Sequence, residues 1–163
     1  MKQNGFSLIE LLIVVTIVSV IAAIAIPNLL AARRSANDAS AISSMRIINS
    51  GEQTYQSSVG DGEYGTLPQL HSAEIVDEVL DGGSKSGFNF NVVPIAPVGI
   101  NPPVFDGYGT ATIFGTGPMA TGNSNFYTNE SGTIYENTAG QDNPPDSTSS
   151  TDRTVVNGTP LDD

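Results

Sequence analysis

A single carboxylate sits where a membrane helix should exclude one. Gly5-Phe6-Ser7-Leu8-Ile9-Glu10-Leu11 opens an apolar run that continues to Ile26. Placing an acid in such a run costs roughly 2–3 kcal/mol in a bilayer, less near its surface. A charge held at that cost calls for a cation, and none lies within the run. Lys2 precedes it, and Arg33 and Arg34 follow its far end. The chemistry open to Glu10 is therefore ion pairing with a group supplied by another molecule.

No catalytic constellation appears elsewhere. His71 is the single histidine and reads as a surface or capping residue beside Ser72; cysteine is absent and there is no P-loop. Without cysteine there is no disulfide, cysteine zinc site or c-type haem attachment. Asp142, Asp146 and Asp152 could contribute to a calcium site, although their spacing does not match an EF-hand loop. No cofactor is expected otherwise. Asn129-Glu130-Ser131 and Asn157-Gly158-Thr159 fit the N-glycosylation tripeptide, a pattern common by chance.

Six basic and seventeen acidic residues give a net charge of −11, and after Ile47 only Lys85 and Arg153 are cationic. Such a surface stays soluble and repels phosphate backbones, which excludes general nucleic-acid binding by this part of the chain.

The elements that must position Glu10 follow from the pattern. Phe6 to Ile26 spans roughly 30 Å as a helix, enough to cross the hydrocarbon core. Lys2 ahead of it, against an acidic remainder, favours an N-terminus in the cytoplasm. Pro27 removes one backbone donor and crowds the carbonyl of Ala23, so the helix should loosen there and continue. From Asn28 to about Ser57 there is no further proline and one glycine, Gly51. Ala41, Met45, Ile48, Glu52 and Tyr55 recur at spacings of three and four, a face that should lie on a sheet. Arg33, Arg34, Asp38 and Arg46 are expected on the wetter side. The sum is one helix of roughly 50 residues and about 75 Å, whose first half has no partner in its own chain.

Beyond it, Val59 to Gly65 is turn chemistry, and Ser72 is placed to cap a short helix from Ala73 to Leu80, ended by Gly82. Gly87 to Val93 alternates as a strand. Further strands are expected at Tyr108–Phe114, Asn125–Thr128 and Gly132–Glu136, with a hairpin turn over Asn129 to Gly132. From Asn137 the Asp, Pro, Ser, Thr and Gly content reads as a mobile tail with a short strand near Val155.

The segment Met1 to Val15, with Gly5, Phe6 and Glu10 at their spacing and Pro27 in the same helix, resembles the class III signal of type IV pilins and type II secretion pseudopilins. The match covers residues 1 to about 57. The resemblance implies a leader, residues 1–5, cut off by prepilin peptidase between Gly5 and Phe6, with N-methylation of Phe6. It implies an assembly role for Glu10 and a helix-kinking role for Pro27. It also implies an α+β, pilin-like fold: a transmembrane or fibre-core helix over 6–27, and its second half over 28–57 packed on the head. A connecting loop with a small antiparallel sheet would follow over 58–136, then a polar acidic tail over 137–163. Many type IV pilins close a C-terminal loop with a disulfide, and this chain departs from that. Major pseudopilins bind calcium in their C-terminal region, which keeps calcium as a candidate here.

The expected function is that of a non-enzymatic structural subunit, polymerising through its N-terminal helix into a type IV pilus for adhesion, twitching motility or DNA uptake. Its partners would be further copies in a helical fibre, prepilin peptidase, an inner-membrane assembly platform, and membrane lipid before assembly. It would be a single-pass inner-membrane protein first and part of a surface fibre later. The alternative is a pseudopilin of a short periplasmic pseudopilus. The lack of cysteine and the stretch Phe126 to Ile134, similar to a pseudopilin hairpin, favour it; the polar, extended exported part favours a surface fibre. An electron-conducting core is disfavoured, because no aromatic residue lies between Phe6 and Tyr55.

Overall fold

A computed structural model of the chain describes residues 6–140 and 144–161. Its first element, α1 (Leu8–Ser57), is one helix of 50 residues running unbroken through Pro27. The side chains from Phe6 to Leu29 are largely exposed, and the buried positions of α1 begin only at Ala41. One half of the helix therefore has no protein around it and the other half anchors a head.

The head is an antiparallel sheet laid on that second half. In chain order come α2 (Leu67–Ser72), α3 (Glu78–Asp81), β1 (Ser84–Lys85), β2 (Phe88–Ile95), β3 (Val104–Ala111), β4 (Asn125–Asn129), β5 (Ile134–Asn137), β6 (Asp146–Ser147), β7 (Val155–Val156) and β8 (Thr159–Pro160). The main sheet runs β1-β2-β3-β4-β5-β8, while β6 and β7 form a separate ribbon. The α+β architecture is the expected one.

The stripe on α1 is buried as its spacing predicts: Ala41, Met45, Ile48 and Glu52 are fully covered and Tyr55 partly so. They meet Phe88, Phe90 and Val92 of β2, Phe105 of β3 and Phe126 of β4. Each such apolar side chain contributes roughly 1.5–3 kcal/mol by leaving water. Gly109, opposite Phe90 in the ladder, lets the helix sit close, since a Cβ there would lie 3.0 Å from Met45 Sδ.

Glu52 is the exception in this core. Its Oε2 accepts a hydrogen bond from the Gly65 N–H at 2.9 Å, pinning the loop after α1, while its Oε1 is buried without a partner. Burial pushes its carboxyl up to about 7 from 4.5, against the pull of the Gly65 N–H. Between those two values the folded chain holds a proton that the unfolded chain releases. Stability should therefore fall as pH rises from about 4.5 to 7 and level off above, by an amount on the order of 3 kcal/mol. Glu52→Gln keeps an acceptor for Gly65 and removes the ionisation, so it should flatten that slope. Melting of the detergent-solubilised chain from pH 4 to 8.5 checks this; an unchanged slope would refute it.

Several expectations are corrected. The helix predicted over Ala73–Leu80 does not form over that range: α2 ends before it, at Ser72, and α3, Glu78–Asp81, takes up only its last residues. Thr66 opens α2 with a capping box, its N–H donating to Gln69 Oε1 at 2.8 Å, and Asp77 caps α3 by accepting from the Leu80 N–H at 2.9 Å. Between them Glu74 sits at φ +59°, where no helix continues. The strand predicted at Tyr108–Phe114 begins earlier, at Val104, and stops at Ala111, because Gly107 and Gly109 blank out the alternation on the helix-facing side. Asp38 is half-buried, accepting from the Asn123 N–H at 3.2 Å, and its carboxyl is raised chiefly by burial. Arg34 is likewise half-buried. The hairpin turn stands as expected, with Gly132 at φ +83° and its N–H donating to the Asn129 carbonyl at 3.0 Å.

The tail is the largest correction. Its described residues lie against the sheet face opposite α1, where Tyr108, Tyr127 and Tyr135 form a cross-strand row with centroids 5.6 and 6.2 Å apart. Arg153 holds it there: Nη2 lies 2.7 Å from Asp106 Oδ1 and 2.8 Å from the Phe105 carbonyl, and Nε lies 2.7 Å from Glu130 Oε1. Nη1 donates to Ser147 Oγ at 2.9 Å, and Tyr108 donates to Asp146 at 2.7 Å. Polar pairing thus anchors this segment, and apolar cover is added by the buried Pro145 and by Leu161 packed against the core. Burial and the neighbouring acids push both Tyr108 and Tyr127 up from the usual phenol range.

Candidate functional site

The functional end of the molecule is built from the start of α1. Ser7 is its N-cap in extended conformation, and Glu10 stands at the third helical position. The Ser7 N–H donates to Glu10 Oε2 at 2.9 Å, so the carboxylate closes a capping box on its own helix. That is a local partner which the charge argument alone does not supply. Among the described residues Glu10 has no cationic partner, and its side chain is exposed. Phe6, 81% exposed, precedes the cap. Gly5 and the leader 1–5 lie outside the described residues.

The rest of the run is made inert. Thr16 Oγ1 donates to the Leu12 carbonyl at 2.8 Å and Ser19 Oγ to the Val15 carbonyl at 2.7 Å, so both hydroxyls are consumed by their own helix. The apolar stretch of α1, none of it buried, is long and apolar enough to cross a membrane. What remains on this surface is a greasy rod with one carboxylate near its tip. Pro27 lies where the rod gives way to the segment that the head covers.

This arrangement can recognise a cation and pack against other apolar helices. His71, half-buried, places Nδ1 3.1 Å from the Val76 carbonyl and links α2 to the turn that follows. No cluster of three His, Cys, Asp or Glu side chains suited to a metal occurs among the described residues. Asp146 receives the Tyr108 hydroxyl, Asp152 receives the Thr154 N–H and hydroxyl, and Asp142 lies outside the described residues.

Comparison with known proteins bears on this same end. Residues 1–26 match the family described as the prokaryotic N-terminal methylation motif. Over 37 residues the chain is 62% identical to the type IV wide pilus major component PilA4 of Thermus thermophilus, a stretch covering 23% of this chain and 28% of that protein. The likeness thus spans about a quarter of either chain. No solved structure matches.

Proposed function

We propose that this chain, whose N-terminal segment is that of the type IV pilin family, is a structural subunit that polymerises through α1 into a type IV pilus. The observation that carries this reading is the bare apolar half of α1 with Glu10 near its tip, on a helix whose other half is locked to a folded head. Prepilin peptidase would cut between Gly5 and Phe6 and methylate Phe6. The amine so formed on an entering subunit would meet Glu10 of a subunit already in place, setting the axial register. Helix would then pack on helix in place of lipid, fed from an inner-membrane assembly platform.

A fibre drawn from the membrane in this way would reach the cell surface, as a pilus for adhesion, twitching motility or DNA uptake. A periplasmic pseudopilus uses the same N-terminal device, and the absence of cysteine is the observation that favours it. Electron microscopy of cells with and without this gene product separates the two. Long surface filaments lost with the gene support the pilus; bald cells with impaired secretion refute it.

The cleavage step has its own test. Gly5→Asp should leave the leader attached and yield no fibre, seen as a chain heavier by residues 1–5 in intact-mass analysis. Normal processing of that variant would sink the assignment of Gly5 and Phe6.

A further inference from the structure

The loop between β3 and β4, residues 112–124, is tied down on a part of α1 that the core does not use. Asn37 Nδ2 donates to the Thr121 carbonyl at 2.7 Å, Arg34 Nη1 to the Gly117 carbonyl at 3.3 Å, and Asp38 accepts from the Asn123 N–H. The loop is also closed on itself, by the Thr121 N–H to the Ile113 carbonyl at 2.8 Å and the Gly115 N–H to the Gly122 carbonyl at 3.0 Å. Gly122 permits this approach, because a Cβ there would meet Asp38 Oδ1 at 2.7 Å as well as the Phe88 ring. The result is a fixed spur.

Its tip is apolar and turned outward: Met119 is 77% exposed and Ile113 43%, with Pro118 also exposed. Pro118 and Met119 line a shallow groove with Leu30, Arg33 and Asn37. Leu30 lies four residues past the end of the apolar run, about 6 Å along the helix, and Arg33 about 10 Å. A headgroup layer occupies roughly the 5–7 Å beyond the hydrocarbon core on each side. Leu30 therefore lies within that layer and Arg33 just outside it, within reach of its long side chain, so the tip of the spur borders the headgroups whenever the run spans a bilayer, while its ties to Arg34, Asn37 and Asp38 stand farther out.

Charge agrees. From Gly107 to Asn129 there is no Asp, Glu, Lys, Arg or His, and Arg33, exposed beside the spur, is one of only six basic residues. The acids Asp61 and Glu63 follow the opposite end of α1; at the spur itself Asp38 is half-buried and taken up by the Asn123 N–H and Arg34 by the Gly117 carbonyl, which leaves Arg33 as the exposed charge there.

The geometry points to a membrane-resting surface: before assembly, the spur and Arg33 seat the head on an anionic lipid headgroup layer. This rests on the reading of α1 as membrane-spanning. The surface fixes the height and tilt of the head above the bilayer while the subunit waits to be extracted.

The natural chain has no cysteine, so single probes are clean. The full mature chain carrying Met119→Cys, labelled with an environment-sensitive fluorophore, is reconstituted in phosphatidylcholine vesicles with and without phosphatidylglycerol. Val14→Cys, inside the apolar run, is labelled in parallel. Expected are a blue shift and loss of quenching by an aqueous quencher at position 119 in the anionic vesicles, both reduced by Arg33→Ala. A lipid signal at 14 with a water signal at 119 overturns this inference alone. A water signal at both positions overturns the membrane reading with it. A signal at 119 indifferent to lipid charge and to Arg33→Ala overturns the anionic headgroup. Protection at 119 confined to assembled fibres reassigns the spur to a neighbouring subunit and also overturns it.

Discussion

Glu10→Ala is expected to abolish fibre assembly while leaving the chain in the membrane. Insertion should improve slightly, because the substitution removes a penalty of roughly 2–3 kcal/mol. Assembly should suffer because the amine of the next subunit then enters a low-dielectric core without its counter-charge. Stranding one member of a buried pair costs roughly 3–5 kcal/mol, at least a hundredfold in subunit affinity at each step of growth. The capping contact from the Ser7 N–H adds a second role that must be separated from the first. Glu10→Gln keeps an acceptor for that N–H and loses the charge. If the pairing idea is right, both variants accumulate in the membrane fraction and are missing from the sheared surface fraction. Normal fibres from Glu10→Gln would show that Glu10 serves only its own helix.

The second large effect concerns the clasp on the far face of the sheet. Arg153→Ala leaves Asp106 and Glu130 facing each other's charge, with Asp106 only 10% and Glu130 24% exposed. Removing one partner from a fully buried pair would cost roughly 3–5 kcal/mol, and the partial exposure here scales that to about 2–3 kcal/mol. For a chain of this size the melting temperature should fall by roughly 5–10 °C. The loss should be local first. Cleavage in the turn between β6 and β7, near Ser149, by a protease at low dose should accelerate before the sheet melts. Arg153→Lys restores one charge but not the fork that reaches Asp106, Glu130, Ser147 and the Phe105 carbonyl together, so it should recover only part of the stability. Unchanged melting and proteolysis in Arg153→Ala would remove the clasp from the account.

The parts of the fold that rest on periodicity were legible in the residues. Ala41, Met45 and Ile48 announce the buried face of α1, and Phe88, Phe90 and Val92 announce β2, since spacing alone decides which side of an element meets the core. The start of α2 carries a readable signal too: Thr66 followed three residues later by Gln69 is a capping box, a stronger start than Ser72. The order of the tail was not legible from composition. A segment rich in Asp, Ser and Thr signals disorder when apolar burial is the only source of stability considered. Here a large part of the source is one guanidinium reaching residues 23 to 48 positions away in sequence, joined by the pairing of β8 with β5 and by Leu161 against the core. The one hint was Arg153 itself, a solitary cation in an acidic stretch. Asp38 and Arg34 were placed in water for a similar reason, as their partners come from a loop with no periodic pattern. At Glu10 the residue and its exposure were legible, whereas the capping contact needed the backbone.

The last short strand has a consequence for anyone altering this protein. Thr159 and Pro160 lie along Tyr135 and Glu136 as the terminal rung of the main sheet, and the Leu161 N–H reaches the Ile134 carbonyl at 2.8 Å. Cutting the chain before Thr159 would strip that cover and leave a raw ladder margin along β5, free to zip onto the same margin of another head. In the filament proposed for this chain, such lateral stickiness would show itself as bundling, so reporters and affinity handles belong in the exposed turn around Ser149 and not within β8.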